Sequence, residues 1–388
     1  MMTHTDGAVE EFNRFIHKNS DKINGWLKDR ETKDVPIYSS VDIRNARFKI
    51  APVDTNLFPS GFNNLSQEAL KIATACFSHF LKKNFTNITK IAVIAENFTK
   101  NIKYWEHIKA LLKVLLNTKL EVRLIALHNE LSEAIKEVEV FKAEKQGNIL
   151  IIDGNWSPDL ILLNNDLTEE IPNELTSITT PILPSLEYGW HSRKKCLHYK
   201  AYNNLAKQFC NVFAIDPWLV STYFTKCQNI NFRKKEGLEC IADNVESLII
   251  KIQQKYDEYK IQETPTVFIK ANNGTFGRGI ISVKSGKEIM NLNKKLRHSL
   301  NTIKDSVVNS EVAIQEGVKT IEKIQNYPAE NIIYLIGNEV IGNFARYNIN
   351  KDINHNLNSK GMFFSQTSPP TLSENLVSKI ATIAVTYE

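Results

Sequence analysis

Between residues 90 and 165 the sequence alternates strand-like runs with helical patterns, and this alternation constrains the fold more than any other feature. The strand-like runs are rich in isoleucine, leucine and valine, whereas the segment "NIKYWEHIKALLKVLLN" spaces its apolar residues three and four apart. The runs read "KIAVIAE" (90–96), "EVRLIAL" (121–127), "NILIID" (148–153) and "DLILLNN" (159–165). Strands that alternate with helices predict a parallel α/β sheet.

The length of the chain and its changes of pattern predict more than one domain. A chain of 388 residues exceeds a typical single core. We predict an α/β fold in three parts: a parallel α/β substrate-binding domain over residues 1–192, a mostly helical connecting region over 193–264 without a clear strand, and an α+β domain over 265–388. In the last part, Gly337 and Asn338 suit a two-residue hairpin turn.

Charge, cysteine content and apolar runs narrow the functional classes. The 48 basic and 43 acidic residues leave a net charge of only +5, and the basic residues are scattered, which argues against a nucleic-acid partner. Five cysteines without C-x-x-C spacing indicate neither a disulfide framework nor a zinc site, so a cytoplasmic location is expected. No signal-peptide pattern and no run of 18 apolar residues occurs, so no membrane partner is expected. Homo-oligomer formation stays open.

The segment "KANNGTFGRGI" (270–280) lies between two strand-like runs and is a candidate phosphate-binding loop. Its glycine spacing matches neither the P-loop nor the dinucleotide fingerprint, both of which open a helix. A lysine at the end of a strand and a glycine-rich hairpin can bind phosphates through positive charge and backbone N–H groups. On its own, the loop fits a plain turn equally well. The candidate nucleotide-binding residues are Lys270, Asn273, Gly274, Thr275, Gly277, Arg278 and Gly279.

The segments after this loop strengthen the nucleotide hypothesis. A helical pattern, the strand "IQEGV" and a hairpin that ends at Arg346 follow in order. This order resembles the ATP-grasp ligases, which implies an ATP-grasp-like nucleotide-binding domain over residues 265–388. The resemblance implies that Lys270 contacts the nucleotide and that Arg346 acts near the transferred phosphoryl group. It also implies that adenine contacts the main chain of Gln315, Glu316, Gly317 and Val318.

ATP and Mg²⁺ are the cofactors that this resemblance implies. Lysine, arginine and Mg²⁺ stabilise the negative charge that develops when a carboxylate is phosphorylated. The acidic pair and the E-x-N metal signature usual late in ATP-grasp domains are not evident before the chain ends. In the absence of that signature, the best candidates for metal ligands are Glu330, Asn356 and Asn358.

Two polar stretches, residues 40–65 and 187–205, suit the binding of an amino acid. A carboxylate requires arginine or backbone N–H groups, and an α-ammonium group requires Asp or Asn oxygens. The alternatives are a self-satisfied network of Asn/Asp turns and a solvated basic helix start. The candidate substrate-binding residues are Arg44, Asn45, Asp54, Asn56, Asn63, Asn64, Trp190, His191 and Arg193. Arg193 is also a candidate catalytic residue, with Lys270 and Arg346.

Taken together, five motifs resemble the proteobacterial ATP-grasp-type glutamate-cysteine ligases. They are "DIRNARFKIAPVDTNLFPSGFNNL", "GWHSRKK", "FIKANNGTFGRGI", "IQEGV" and "NLNSKGMFF". The resemblance implies ATP-dependent joining of the γ-carboxylate of L-glutamate to the amine of L-cysteine through γ-glutamyl phosphate, the first step of glutathione synthesis. Two alternatives stay open: another ATP-grasp carboxylate-amine ligase such as a glutathione synthetase, and a nucleotide-binding regulatory protein without turnover.

Overall fold

The computed structural model describes residues 7–96, 101–127, 138–273, 279–301 and 309–388. Its helices are α1 (Ala8–Lys18), α2 (Ser20–Lys28), α3 (Gln67–Asn84), α4 (Ile102–Leu116), α5 (Lys195–Phe213), α6 (Leu238–Glu258), α7 (Gly286–Met290), α8 (Lys294–Asn301) and α9 (Leu372–Ala384). Its strands are β1 (Tyr38–Asn45), β2 (Ile50–Asn56), β3 (Lys90–Ala95), β4 (Glu121–Ala126), β5 (Val140–Gln146), β6 (Ile149–Ile152), β7 (Leu160–Asn164), β8 (Ile182–Leu183), β9 (Phe224–Cys227), β10 (Val267–Ala271), β11 (Ile281–Val283), β12 (Val312–Glu316), β13 (Lys323–Ile324), β14 (Tyr327–Ile336), β15 (Glu339–Asn348) and β16 (Met362–Ser365). The mixed α/β class expected from the sequence is confirmed.

The first sheet has the strand order β6-β5-β4-β3-β7-β8 and is parallel from β5 to β8. Its central strands β3 and β7 are almost wholly buried, as expected for parallel strands that are covered on both faces. The edge strand β6, which was expected to join this parallel pattern, instead runs antiparallel to β5. Only Gly147 and Asn148 connect these two strands, and so short a connection cannot form a parallel crossover.

The second sheet joins strands from both ends of the chain. Its order is β16-β15-β14-β1-β2, with β13 on β14, and all of its pairs are antiparallel. Ile336 pairs with Glu339, so Gly337 and Asn338 form the hairpin turn that the sequence predicted. Because β1 pairs with β14, the boundaries predicted at residues 192 and 264 separate strands that share one sheet.

The third sheet has the order β11-β10-β12-β9 and corrects the expectation for residues 193–264. Strand β9 lies within that region, where no strand was predicted, and it pairs with β12. The spacing of apolar residues after Asp216 predicts a helix, but the chain forms only a 3-10 turn at Pro217–Val220. The side chain of Asp216 caps this turn. Pairing with a neighbouring strand therefore overrides a local helical pattern.

A shared apolar core packs the parallel sheet against the antiparallel sheet. The helices α3 and α4 lie in this core, where Phe77 and Ile108 pack with Val93 of β3 and Tyr334 of β14. At the end of β7, the Asn164 amide donates to the Tyr38 hydroxyl at 3.2 Å. The carboxyl ends of β3 and β7 consequently lie beside the antiparallel sheet. Across the described ranges, no helix is both long and apolar enough to cross a lipid bilayer.

Candidate active site

A cavity of about 230 Å³ lies between the antiparallel sheet and the carboxyl ends of the parallel strands. Ligands of open α/β sheets usually bind at this edge. Charged and amide side chains line the cavity together with aromatic rings. Seven residues predicted from the sequence line it: Asp54, Asn56, Asn63, Asn64, Trp190, Arg346 and Asn358. The cavity is therefore the best candidate for an active site.

Two carboxylates face each other where β1 and β2 border the cavity. Asp42 and Asp54 are direct partners across these strands, and the register shifts beside them in a β-bulge that leaves Val53 unpaired. Like charges in such a pair destabilise a sheet unless counterions compensate them. Lys195 donates to the two oxygens of Asp54 at 2.6 and 2.9 Å, and Arg346 donates to Oδ2 of Asp42. Burial acts to raise the pKa of Asp54, but Lys195 holds that pKa at about 2.

A buried carboxylate orients Arg346. Nε and Nη2 of Arg346 donate to Oε1 of Glu330 at 2.9 and 2.7 Å, and Nε of Arg44 donates to Oε2 at 2.7 Å. Burial acts to raise the pKa of Glu330, but Arg44 and Arg346 lower it to about 2. None of the described residues accepts a hydrogen bond from Nη1 of Arg346. Arg346 is thus held through Nε and Nη2, and its Nη1 is left to donate to a ligand.

Arg44, a predicted substrate-binding residue, lies behind this cavity rather than in its wall. Its other two nitrogens donate to the carbonyl oxygens of Val318 at 3.2 Å and His355 at 2.7 Å. Each of its three nitrogens is therefore engaged within the protein. Arg44 links β1 to Glu330 and to two loops, so its position is a supporting one.

Lys270 is a buried cation whose amine, across the described part of the chain, contacts only neutral groups. Nζ donates to the carbonyl oxygen of Val53 at 2.9 Å and to Oε1 of Gln315 at 2.7 Å. The bulge in β2 exposes that carbonyl group, and Nε2 of Gln315 donates in turn to Thr222 at 3.0 Å. Among the described residues, no carboxylate lies within ion-pair distance of Lys270. Burial lowers the pKa of Lys270 to about 8.

The segment predicted to bind adenine, Gln315 to Val318, is tied into the small sheet. The N–H groups of Glu316 and Gly317 donate to the carbonyl oxygens of Tyr223 and Thr266, each at 2.8 Å. A Cβ on Gly317 would approach the Thr266 hydroxyl to 2.4 Å, so close strand packing accounts for this glycine. In this conformation the N–H groups of two residues expected to contact adenine already have partners.

The Glu316 side chain points into the protein and contributes to its packing. It accepts from Lys49 at 2.7 Å, from Nε1 of Trp218 at 3.0 Å and from the Tyr223 N–H at 2.9 Å. Burial lowers the pKa of Lys49 from its ordinary value, although Glu316 opposes this effect. This ion pair connects the start of β2 to β12.

The predicted phosphate loop lies mostly outside the described residues, which exclude Gly274, Thr275, Gly277 and Arg278. Asn273 and Gly279 flank it, and Gly279 has a φ of 64°. Gly279 lines a second cavity, of about 830 Å³, together with Asn356. The structure thus brings the end of the glycine loop and one predicted metal ligand to the same cavity.

The surroundings of Glu330 disfavour its predicted role as a metal ligand. Glu330 lies between two guanidinium groups, which attract an anion and repel a cation. Asn358 donates its N–H to Oδ1 of Asn356 at 3.0 Å, and the amide of Asn356 donates to the carbonyl oxygen of Asn358 at 3.2 Å. Among the described residues, no group of three or more His, Cys, Asp or Glu is arranged to hold a metal ion. Glu330 therefore does not fit the predicted role.

Three further predicted residues lie outside the cavity wall. Asn45 belongs to the β1–β2 turn, where its Oδ1 accepts from the N–H of Arg47 at 2.8 Å. The His191 ring lies 3.2 Å from the carbonyl oxygen of Leu167. Nε and Nη2 of Arg193 donate to Glu388 at 2.9 and 2.7 Å, and Nη1 donates to the carbonyl oxygen of Thr55 at 2.7 Å. Arg193 supports β2 from behind the cavity.

Part of the cavity wall lies within the polar stretch 40–65 but was not among the candidate site residues: Ser40, Asp42, Ser60 and Gly61. The rest of the wall outside the candidate list is Asn101, Lys103, Tyr104, His107, Asp166, Ile332, Tyr334, Phe344, Met362 and Phe364. Part of this wall carried a usable signal, because Asp166 follows the end of β7 and the start of α4 follows β3, where ligands of α/β sheets bind. The residues of β16 carried none, since their position depends on pairing with β15.

His107 holds the loop after β2 as a neutral ring. Its Nδ1 accepts from the N–H of Phe62 at 3.3 Å, and its Nε2 lies 2.9 Å from Oδ1 of Asn164, so Nε2 carries the proton. Burial lowers the pKa of His107 from 6.5 to about 4. The ring therefore stays uncharged at neutral pH and positions the loop that carries Asn63 and Asn64.

This burial predicts a defined pH dependence of stability. Between pH 6.5 and 4 the unfolded chain binds a proton at His107 that the folded protein does not bind, so stability falls as the pH falls. Urea unfolding of the wild type should lose on the order of 2–3 kcal/mol more over this interval than unfolding of the His107→Gln variant. His79→Gln, at an exposed position, should behave as the wild type. Equal pH dependence in all three proteins would contradict the assignment.

Comparison with known proteins shows which family the chain resembles. The family model described as "GshA: Glutamate-cysteine ligase" matches residues 13–381. A crystal structure from Methylobacillus flagellatus KT, provisionally assigned as a gamma-glutamylcysteine synthetase, is 32% identical, with a TM-score of 0.89 over 100% of this chain and 97% of that chain. D-alanyl-alanine synthetase A from Vibrio cholerae is 11% identical over 77% of this chain and 80% of its own, and its TM-score of 0.32 supports no conclusion. No curated protein matches the chain significantly.

Proposed function

Because the chain belongs to the glutamate-cysteine ligase family, we propose that it joins the γ-carboxylate of L-glutamate to the amine of L-cysteine at the expense of ATP. The products are γ-L-glutamyl-L-cysteine, ADP and phosphate. Membership of this family supports the reaction class, and the cavity holds charged and amide groups that such a reaction can use.

The chemistry requires a carboxylate to be activated before an amine can attack it. An oxygen of the γ-carboxylate attacks the γ-phosphorus of ATP, and the bond to the ADP oxygen breaks. The amine then attacks the acyl carbon, and phosphate leaves with the C–O electron pair. Both steps place negative charge on oxygens, and fixed cations stabilise this charge most in a site that excludes water.

Arg346 is the observation that carries this proposal. Its guanidinium lines the cavity, and Glu330 and Asp42 fix Nε and Nη2. None of the described residues accepts a hydrogen bond from Nη1, which therefore remains available to a ligand. A donor held in this way needs no reorganisation when charge develops. The wall around it combines carboxylates and amides that suit an ammonium group with aromatic rings that exclude water. These features match an amino-acid substrate with a carboxylate to be activated.

Lys270 and the second cavity are assigned to ATP. A buried lysine that contacts only neutral acceptors keeps its charge for an incoming phosphate. The cavity at Gly279 is large enough for part of a nucleotide and adjoins the glycine loop. Mg²⁺ would enter with the ATP phosphates, since this ion keeps several waters and often binds through substrate phosphates. No protein ligand for it is assigned.

The purified chain tests this proposal in a single assay. With ATP and Mg²⁺, ADP should appear only when L-glutamate and L-cysteine are both present, and γ-glutamylcysteine should be found by mass spectrometry. ADP release that requires γ-glutamylcysteine and glycine instead would identify a glutathione synthetase. Stabilisation by ATP without turnover for any pair of amino acids would identify a nucleotide-binding regulatory protein.

A further inference from the structure

The proposed ligation leaves one group without an assignment, the base that takes a proton from the attacking amine. An amino acid carries an ammonium group at neutral pH, and its nitrogen cannot attack until a proton has left. A positioned side chain that removes such a proton typically accelerates a reaction about 10²- to 10⁴-fold. The base has to lie in the cavity wall and keep an atom free to accept the proton.

Several titratable groups in or near the wall do not meet this requirement. Both oxygens of Asp54 are held by Lys195. Both ring nitrogens of His107 are engaged, one by the N–H of Phe62 and one by Asn164. The Tyr104 hydroxyl donates to the carbonyl oxygen of Asn164 at 2.8 Å and accepts from the N–H of Glu96 at 2.7 Å.

Asp42 meets it. Arg346 binds its Oδ2, and none of the described residues donates a hydrogen bond to its Oδ1. Its side chain lines the cavity and is 17% exposed, so a substrate can reach it. Burial raises the pKa of Asp42, which makes its carboxylate a stronger base. The charged and titratable groups that face it are Arg346 on β15, Glu330 and Tyr334 on β14, Asp54 on β2, Lys270 on β10 and Tyr199 on α5.

We propose that Asp42 is the catalytic base of the ligation, an assignment that rests on the proposed function. Oδ1 takes one proton from the ammonium group of the second amino acid, and the freed electron pair forms the C–N bond to the acyl carbon. The C–O bond to phosphate breaks with its electrons on the phosphate, which takes the second proton released from nitrogen. Arg346, hydrogen-bonded to Oδ2, holds the carboxylate in position throughout.

Hydroxylamine separates this role from activation of the carboxylate. It is largely unprotonated at neutral pH and traps acyl phosphates as hydroxamates, so its reaction requires the phosphorylation step but no base for the nucleophile. Asp42→Asn keeps an oxygen that can accept from Arg346. With ATP and L-glutamate, this variant should form hydroxamate at a rate within about threefold of the wild type, whereas its ligation of L-cysteine should fall about 100-fold. In the plot of kcat for ligation against pH, the fall at low pH that is expected of the wild type should also disappear.

The matched controls are Asp54→Asn and Asp166→Asn. Asp54→Asn removes a carboxylate that is ion-paired to Lys195 and should affect the two reactions equally. The role of Asp42 would be overturned if Asp42→Asn lost both reactions equally, or if its ligation rate and the acidic limb of its pH profile were unchanged. Selective loss of ligation in Asp166→Asn would also overturn it. Absence of hydroxamate and of ligation in the wild type would instead overturn the proposed function. Unchanged ATP binding shows that each variant is folded.

Discussion

Replacing Lys270 with methionine is expected to weaken ATP binding by about 10- to 100-fold, since a hydrogen bond to a charged group contributes roughly 1.5–3 kcal/mol. The free energy of unfolding at pH 7 should nevertheless stay the same or increase by up to about 2 kcal/mol. Burial of the charged amine costs stability that methionine avoids, and this gain is offset in part because Val53 and Gln315 lose a donor. Calorimetric titration with Mg-ATP and urea unfolding measure the two effects.

The pH dependence gives the same prediction an independent readout. The pKa of Lys270 is about 8 in the folded protein, below its ordinary 10.5, so between these values the unfolded chain binds more protons and wild-type stability rises with pH. Lys270→Met should lose this rise. ATP affinity of the wild type should fall as the pH increases through 8. Unchanged ATP affinity in the variant would remove Lys270 from the nucleotide site.

Lys49→Met is the matched control because Lys49 is also a buried lysine with a lowered pKa. Its amine, however, forms an ion pair with Glu316 at 2.7 Å. Methionine at position 49 leaves that carboxylate buried without its cation, and the free energy of unfolding should fall by about 3–5 kcal/mol. Opposite effects on stability from two buried lysines would show that Lys270 is held for a ligand rather than for the fold.

Replacing Arg346 with lysine is expected to lower kcat for ligation by about 10²- to 10³-fold, the usual effect of removing one fixed donor from a developing charge. Lysine keeps the positive charge, but its donors all lie on one nitrogen and cannot reproduce the planar fork by which the guanidinium reaches Glu330, Asp42 and a substrate oxygen. Formation of glutamyl hydroxamate should fall as well, because Arg346 is assigned to the phosphorylated carboxylate. Ligation should fall at least as far, because Arg346 also holds Asp42.

Arg44→Lys separates catalysis from stability. Arg44 binds the other oxygen of Glu330 but does not line the cavity. We expect both variants to lose about 1–3 kcal/mol of unfolding free energy, since each leaves a buried hydrogen bond unmade. The kcat of Arg44→Lys should fall less than about tenfold. If the two substitutions lower kcat equally, the ion network matters as a whole and direct contact by Arg346 is not supported.

Local patterns in the sequence were enough to predict the interior of the parallel sheet and the hairpin at Gly337. Spacing of apolar residues selects helix or strand within a few residues, and a two-residue turn depends on the residues in it. The same reasoning placed β6 in a parallel pattern and overlooked β9, because strand partners lie outside any local window.

The sequence by itself therefore determined the fold class, the parallel strands and, through whole motifs, the resemblance to a ligase family. Tertiary structure alone decided which predicted residues act together. Glu330 binds Arg346 and also Arg44, from which it is separated by 286 residues in the chain. Asp42 contacts Arg346 across a separation of 304 residues. Burial then lowered the pKa of Lys270 and raised that of Asp42. Pairing partners and desolvation arise only when distant segments pack, so no local pattern records them.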